Sequence, residues 1–320
     1  MMAKYITIDC GTTNTRIALL EENVVKDIIK LPIGAGNTAQ NGSNAELKRE
    51  IAKVIAQFQG KESEKRITAI YASGMITSEL GLYNLAHIEA PAGKKELRAG
   101  AKTIKIGDVS DIPITFIPGV KNSFDVDIIE SFRDADVMRG EETEVLGLMN
   151  ILNISAPFTA VLPGTHTKII KIDNQGKINS CFTAMSGELF AAIKKDTILK
   201  NCFSENDVNI ENYSKYLEKG YELSEEIGFN AALFKSRLLK NFYNISEKEC
   251  TAYITGAVLY SDIKLLKKVA GNDVILIGGG EPLRSTFLNL IRKYMKNEVI
   301  TASDEQVKLS TVIGTMTIFE

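Results

Sequence analysis

The sequence predicts an α/β protein made of two similar units. Three observations carry that expectation. Residues 4–9 form a β-prone run that ends at Gly11-Thr12-Thr13 and resumes as an apolar run over 15–21, which reads as strand, tight turn, strand. Laying Tyr5–Thr12 over Phe158–Thr165 brings a second strand and a second Gly-Thr turn into register, again followed by a strand. Segments with apolar residues at helical spacing alternate with these short runs. At 320 residues the chain also exceeds what one hydrophobic core usually organises.

The elements follow in order. Over 44–58, Leu47, Ile51, Val54, Ile55 and Phe58 share one face of a helix, and 67–71 is strand-like. Residues 74–100 mix Gly, Pro and Ser with weak periodicity and read as an elaborated loop plus a short helix. A helix over 141–152 is broken at Ala156-Pro157, and 158–162 starts a buried strand, so units of 1–150 and 151–320 are expected. Beyond lie helices over 186–200, 213–242, 246–270 and 282–295, with an apolar strand at 274–277.

Composition excludes several classes. With 44% apolar and 24% charged residues the chain is globular throughout. A net charge of −2 and a pI near 5.9 leave no basic footprint for nucleic acid. Cys10, Cys181, Cys202 and Cys250 stand alone, which suggests neither a zinc site nor a disulfide framework and fits a reducing cytoplasm. No leader pattern opens the sequence and no apolar run reaches membrane-spanning length, so no membrane partner is expected.

Two turns suggest phosphate binding. In Asp9-Cys10-Gly11-Thr12-Thr13-Asn14-Thr15-Arg16 the glycine lets the backbone approach an anion, and Thr12, Thr13, Asn14 and Arg16 supply donors. Asp9, at a strand end, suits a hydrated Mg²⁺. A bare Gly-Thr-Thr is as often an ordinary polar hairpin, but the second copy at Gly164-Thr165-His166-Thr167-Lys168 favours phosphate, with Lys168 as its cation. Gly278-Gly279-Gly280-Glu281 follows a strand and opens a helix, so its bare backbone suits the adenosine end of a nucleotide.

The acceptor side is expected around Asp136, Arg139, Gly140, Glu141 and Glu142. Three carboxylates and a guanidinium surround a glycine there, where a substrate hydroxyl could lose its proton and a carboxylate could be clamped. Acids in a first helical turn also serve the macrodipole, so the company of Arg139 and Gly140 is what raises them above capping. Gly74, Met75, Ser78 and Glu89, in the long loop, are candidates to touch a small polar ligand.

The strings DCGTTNTR, ASGMITSELGL with IEAPAG, IPGV, DVMRGEET, LPGTHTK and AMSGELF resemble, in content and order, the 2-dehydro-3-deoxygalactonokinase family, from residue 4 to about 200. The first turn is shared by the wider superfamily of sugar kinases, actin and heat-shock proteins. The resemblance implies two actin-like, ribonuclease H-like lobes with mixed five-stranded sheets flanked by helices and a nucleotide cleft between them. It also implies ATP- and Mg²⁺-dependent phosphorylation of a sugar acid, 2-dehydro-3-deoxy-D-galactonate, on its 6-hydroxyl. Cys10 and Ile169 depart from the family's aromatic residues at those places. The acid pair is similar to that of exopolyphosphatases, and by that analogy Glu142 leads Glu141 and Asp136 as base. The rival readings are a phosphatase or NTPase of the same fold and a nucleotide-binding regulator. A homodimer is compatible with the sequence but not dictated by it.

Overall fold

The computed structural model describes residues 3–60, 66–206 and 208–320. In chain order the strands are β1 (Lys4–Cys10), β2 (Thr15–Glu21), β3 (Val24–Leu31), β4 (Ile67–Gly74), β5 (Ile88–Glu89), β6 (Lys102–Ile104) and β7 (Ile114–Phe116). They continue with β8 (Val120–Lys121), β9 (Val137–Met138), β10 (Phe158–Leu162), β11 (Thr167–Ile172), β12 (Ile178–Ala184), β13 (Val274–Ile277) and β14 (Val299–Thr301). The helices are α1 (Ala35–Asn41), α2 (Ala45–Gly60), α3 (Lys94–Gly100), α4 (Glu141–Ile151), α5 (Ser186–Asp196) and α6 (Ser214–Ile227). After them come α7 (Phe229–Phe242), α8 (Glu247–Ala270), α9 (Leu283–Tyr294) and α10 (Asp304–Phe319).

The chain folds into two units that are interleaved in sequence. Unit 1 is Met1–Ala156 with Asp173–Cys181 and Glu305–Glu320, and unit 2 is Pro157–Ile172 with Phe182–Asp304. The contiguous division expected near residue 150 therefore gives way to one in which the last helix returns to unit 1. That return is long-range, so no local sequence signal announces it.

Unit 1 is built on a sheet of order β3-β2-β1-β4-β7-β6, six strands rather than the expected five. β1 pairs antiparallel with β2 and parallel with β4, and its alternation sends Ile6 and Ile8 to one face. There they meet Leu47, Ile51, Val54, Ile55 and Phe58 of α2, the stripe read from the sequence. The other face receives α10, where Val312 and Met316 pack on Ala18 and Leu20. Burying each such side chain contributes about 1.5–3 kcal/mol. β5, from the long loop, joins β8 and β9 in a small sheet of order β5-β8-β9.

Unit 2 carries the second copy of the design. Its sheet is built on β11-β10-β13-β14, and β10 pairs antiparallel with β11 and parallel with β13, as β1 does with β2 and β4. Ile275 and Ile277 of β13 pack with Leu259, Ile263 and Leu266 of α8 and with Phe287 and Leu290 of α9. The helical stretch expected over 213–242 is two helices, because Gly228 sits between α6 and α7 at φ +85°.

Candidate active site

In unit 1 the first turn is as tight as its composition implies. Gly11 N donates to Asn14 O at 2.9 Å, and Gly11, Thr12 and Thr13 are exposed. The chain entering α1 supports the turn from behind, where Ala35 N donates to Gly11 O at 3.0 Å and Gly36 N to Thr12 O at 2.7 Å. Those carbonyls face inward, which leaves the outer surface of the turn to its donors. Asp9 lies at the root of the turn, and Arg16, its register partner on β2, places Nη1 3.8 Å from Asp9 Oδ2.

Burial raises the Asp9 pKa above the usual carboxylate range, Arg16 and Thr311 offset part of the effect, and Glu141 adds to it. Ser73 is the register partner of Asp9 on β4. The buried hydroxyls of Ser73 and of Thr311 complete no hydrogen bond. A partly buried carboxylate beside two unsatisfied hydroxyls fits water and a hydrated cation. Among the described residues no group of three or more His, Cys, Asp or Glu could hold a metal ion.

The segment before α4 meets Asp9 through glycines. Gly74 has φ +81°, and a Cβ on it would stand 2.4 Å from Cys10 O and 3.3 Å from Asp9 Oδ1. Gly140 has φ +114°, and a Cβ on it would stand 3.2 Å from Gly74 Cα. Side chains at either place would push α4 away from the Asp9 strand.

The three acids differ in burial and in hydrogen-bond partners. Glu142, expected to lead as base, is 0% exposed, and Gly140 N donates to both its carboxylate oxygens at 2.9 and 2.8 Å. It caps its own helix. Burial, with the neighbouring Glu141 charge second, pushes its pKa up to about 8. Glu141 is only half-buried, accepts from Arg139 N at 3.0 Å, and faces both Asp9 and Glu142 electrostatically. Asp136 precedes β9 rather than joining the helix, and its carboxylate accepts from Val137 N at 2.7 Å.

Arg139 was expected to clamp a substrate carboxylate. Its Nη1 instead donates to Thr77 O at 2.7 Å and Thr77 Oγ1 at 2.6 Å, and its Nη2 to Leu85 O at 3.0 Å and His87 Nδ1 at 3.2 Å. Only Nε–H of the five donors stays outside this set. Because a guanidinium cannot accept, His87 Nδ1 must, which assigns the imidazole proton to Nε2. The residue ties the long loop to the start of α4.

The other loop candidates are also engaged locally. Ser78 Oγ donates to Met75 O at 2.7 Å within the turn Met75–Thr77, and Glu89 accepts from Ser123 Oγ at 2.5 Å with Lys121 Nζ 3.8 Å away. Glu89 remains 52% exposed and can still meet a ligand.

In unit 2 the second turn leaves Thr165 and His166 exposed. His166 Nε2 lies 2.7 Å from Glu188 Oε2 of α5. Lys168 is 8% exposed and donates to Thr183 Oγ1 at 2.6 Å, so its ammonium is held beneath the turn rather than at the surface. The start of α5 fits against the turn, where a Cβ on Gly187 would stand 2.3 Å from Gly164 O, and Glu188 N donates to Thr165 O at 2.9 Å.

The glycine triplet is largely a packing device. Gly279 is at φ +68°, and a Cβ on it would lie 2.3 Å from Pro163 O, while Gly278 N donates to Val161 O at 3.0 Å. Gly280 faces open space. Glu281, expected at the adenosine, accepts from Arg284 Nε and from Ser285 N, each at 3.1 Å. At the start of α9 opens a cavity of about 320 Å³ whose lining includes Gly164, Thr165, Ser186, Gly187, Thr255 and Leu283 but none of Gly278, Gly279, Gly280 and Glu281. It joins the second turn to the starts of α5 and α9 and to α8. Sequence reasoning missed Ser186 and Thr255 as lining, although Ser186 and Gly187 lie within the AMSGELF string.

A strand–turn–strand presented twice, with the same pairing around each first strand, defines a protein of the actin-like sugar-kinase class. The profile of the 2-keto-3-deoxy-galactonokinase family matches residues 9–309, and the chain belongs to that family. It is 26% identical over 282 residues to a protein of Rhizobium meliloti (strain 1021) named "probable 2-dehydro-3-deoxygalactonokinase", covering 86% of this chain and 85% of that one. A crystal structure from Sinorhizobium meliloti, described under the same activity name, has a TM-score of 0.77 at 22% identity, covering 98% of this chain and 97% of that one. The activator of 2-hydroxyisocaproyl-CoA dehydratase from Clostridium difficile, solved with bound ADPNP, shares the fold at a TM-score of 0.51 and 14% identity, over 100% and 94% of the two chains. The family makes the chain a phosphotransferase with an alcohol acceptor. Among the described residues no helix is long and apolar enough to cross a membrane.

Proposed function

We propose that the chain transfers the γ-phosphoryl group of ATP to the 6-hydroxyl of 2-dehydro-3-deoxy-D-galactonate. The observation that supports this reading is the turn from Gly11 to Asn14, exposed over Gly11, Thr12 and Thr13 and rooted on the partly buried Asp9, with the Glu141 charge near enough to raise the Asp9 pKa. This supports the reading because donors suited to phosphate and a carboxylate suited to accept a proton belong to one unit. Phosphoryl transfer asks little covalent chemistry of the protein, so positioning and charge stabilisation are its main tasks.

The turn from Gly11 to Asn14 and the turn at Gly164–Thr165 would bind phosphate oxygens, and the cavity next to Gly164 would take the nucleoside. Asp9 and its neighbouring hydroxyls would hold a hydrated Mg²⁺, which when bound neutralises charge on the phosphates. Glu141 would accept the proton of the attacking hydroxyl, because it is the acid of the pair that solvent reaches. Glu142, buried behind it, keeps Gly140 and the first turn of α4 in place. Glu89, Met75 and the loop tied down by Arg139 would contact the sugar acid.

A coupled assay with ATP, Mg²⁺ and the keto acid tests the reading, with ADP release expected only when the sugar acid is present. Release at the same rate without it would overturn the reading. Glu141→Gln should lower kcat by about 10²-fold or more while the KM for ATP changes little. Running the gluconate-derived epimer in parallel reads the stereochemical preference.

A further inference from the structure

Ser186 is the first residue of α5, lines the cavity in unit 2 and is 7% exposed. Its hydroxyl donates to Asp262 Oδ1 at 2.5 Å. Asp262 comes from α8 and is 1% exposed. Its other oxygen, Oδ2, completes no hydrogen bond, and neither does the fully buried Thr167 Oγ1 of β11. Thr167 is nonetheless near enough to draw the Asp262 pKa down, and burial still leaves it at about 6. A carboxylate this deep, with one oxygen unsatisfied, costs stability that packing alone does not require.

The arrangement has a directional consequence. A hydroxyl has a single hydrogen, and that of Ser186 is committed to Asp262. What Ser186 offers the cavity is therefore a lone pair, and its partner there must be a donor. Phosphate oxygens are acceptors only at neutral pH, which removes them as partners. A nucleotide carries donors on its ribose hydroxyls and on its exocyclic base amine. Ser186 adjoins Gly187, which packs on Gly164 of the phosphate turn, and the sugar is the part of a nucleotide next to its phosphates.

From this geometry we infer that Ser186, fixed as an acceptor by Asp262, reads a ribose hydroxyl of the nucleotide. The inference rests on the cavity being the nucleoside site. Asp262 is then a positioning residue that touches no substrate atom.

The test compares kcat/KM for ATP, 2′-deoxy-ATP, 3′-deoxy-ATP and inosine triphosphate. The native enzyme is expected to prefer ATP over one of the two deoxy analogues by about three- to tenfold, the value of one neutral hydrogen bond. Ser186→Ala should erase that preference by lowering the ATP value alone. Asp262→Ala should do the same, and the double variant should lose no more than either single one. Asp262→Asn should retain the preference, since its Oδ1 still accepts from Ser186 while Nδ2 can donate to Thr167. An unchanged preference in Ser186→Ala overturns the inference, as does loss of discrimination against inosine triphosphate in place of the deoxy analogues. Ser186→Ala removes one atom, so its result stands even if Asp262→Ala fails to fold. Leu283→Trp, which narrows the cavity, separates the premise from the inference. If it leaves the KM for ATP unchanged, the cavity does not hold the nucleoside and the assignment falls with it. If it raises that KM while Ser186→Ala keeps the preference, only the ribose reading falls.

Discussion

Glu142 shows how burial changes what a side chain can be used for. Its folded pKa of about 8 lies above the ordinary 4.5, so the native state holds the proton more tightly than the unfolded chain. The stabilisation this gives is complete below about pH 4.5 and is lost as pH rises through about 8. Glu142→Gln keeps an oxygen for Gly140 N and removes the titration. Urea unfolding from about pH 5.5 to 8 should therefore show a flatter dependence in the variant, which gains on the native protein toward the alkaline end. Equal slopes would show that Glu142 does not titrate in this range. Arg139 makes the complementary case, because four donors in a planar fork meet Thr77, Leu85 and His87 at once. A lysine ammonium cannot span those partners. Arg139→Lys should cost about 1–3 kcal/mol and raise the KM for the sugar acid, read by denaturation and by initial rates.

At the scale of elements, helices meet closely only where glycine permits it. In unit 1 a Cβ on Gly147 of α4 would stand 1.8 Å from Ser310 O of α10, and one on Gly314 would stand 1.8 Å from Thr143 O. The two backbones are in contact there, and the same α10 carries Thr311 to Asp9. Unit 2 repeats the device where Gly220 of α6 meets Tyr253 O of α8 and Gly256 meets Leu217 O, each at 1.9 Å by the same measure. Gly147→Ala cannot be absorbed by a flexible side chain. It should cost about 2–3 kcal/mol or more by chemical denaturation and lower kcat by tilting the α4 start that holds Glu141. Helix α2 was legible in the sequence because its stripe is amphipathic. Helix α10 was not, since apolar and small residues surround it on all sides, as its burial from Ser310 to Met316 reflects.

For the whole molecule, the proposed seating of the nucleoside in the unit 2 cavity predicts that nucleotide binding alone stabilises the fold. ATP at about a hundredfold its Kd should add about 2.7 kcal/mol and raise Tm before any sugar acid is present, and Leu283→Trp should blunt the rise. A Tm unmoved by ATP would place the nucleoside elsewhere. The sequence by itself determined the duplicated strand–turn–strand, the helix opening at Glu141 and the α/β class, because turn chemistry and hydrophobic periodicity act between near neighbours in the chain. Tertiary structure decided the rest. It put Glu142 out of reach and left Glu141 accessible, took up Arg139 with a loop more than fifty residues earlier, set Gly279 against Pro163, and joined Ser186 of α5 to Asp262 of α8. Asp262 was visible only as one acid on the otherwise apolar face of Val258, Leu259, Ile263 and Leu266. Burial and the choice of hydrogen-bond partner depend on which distant segments pack together, and that is settled by the assembled core rather than by any local pattern of residues.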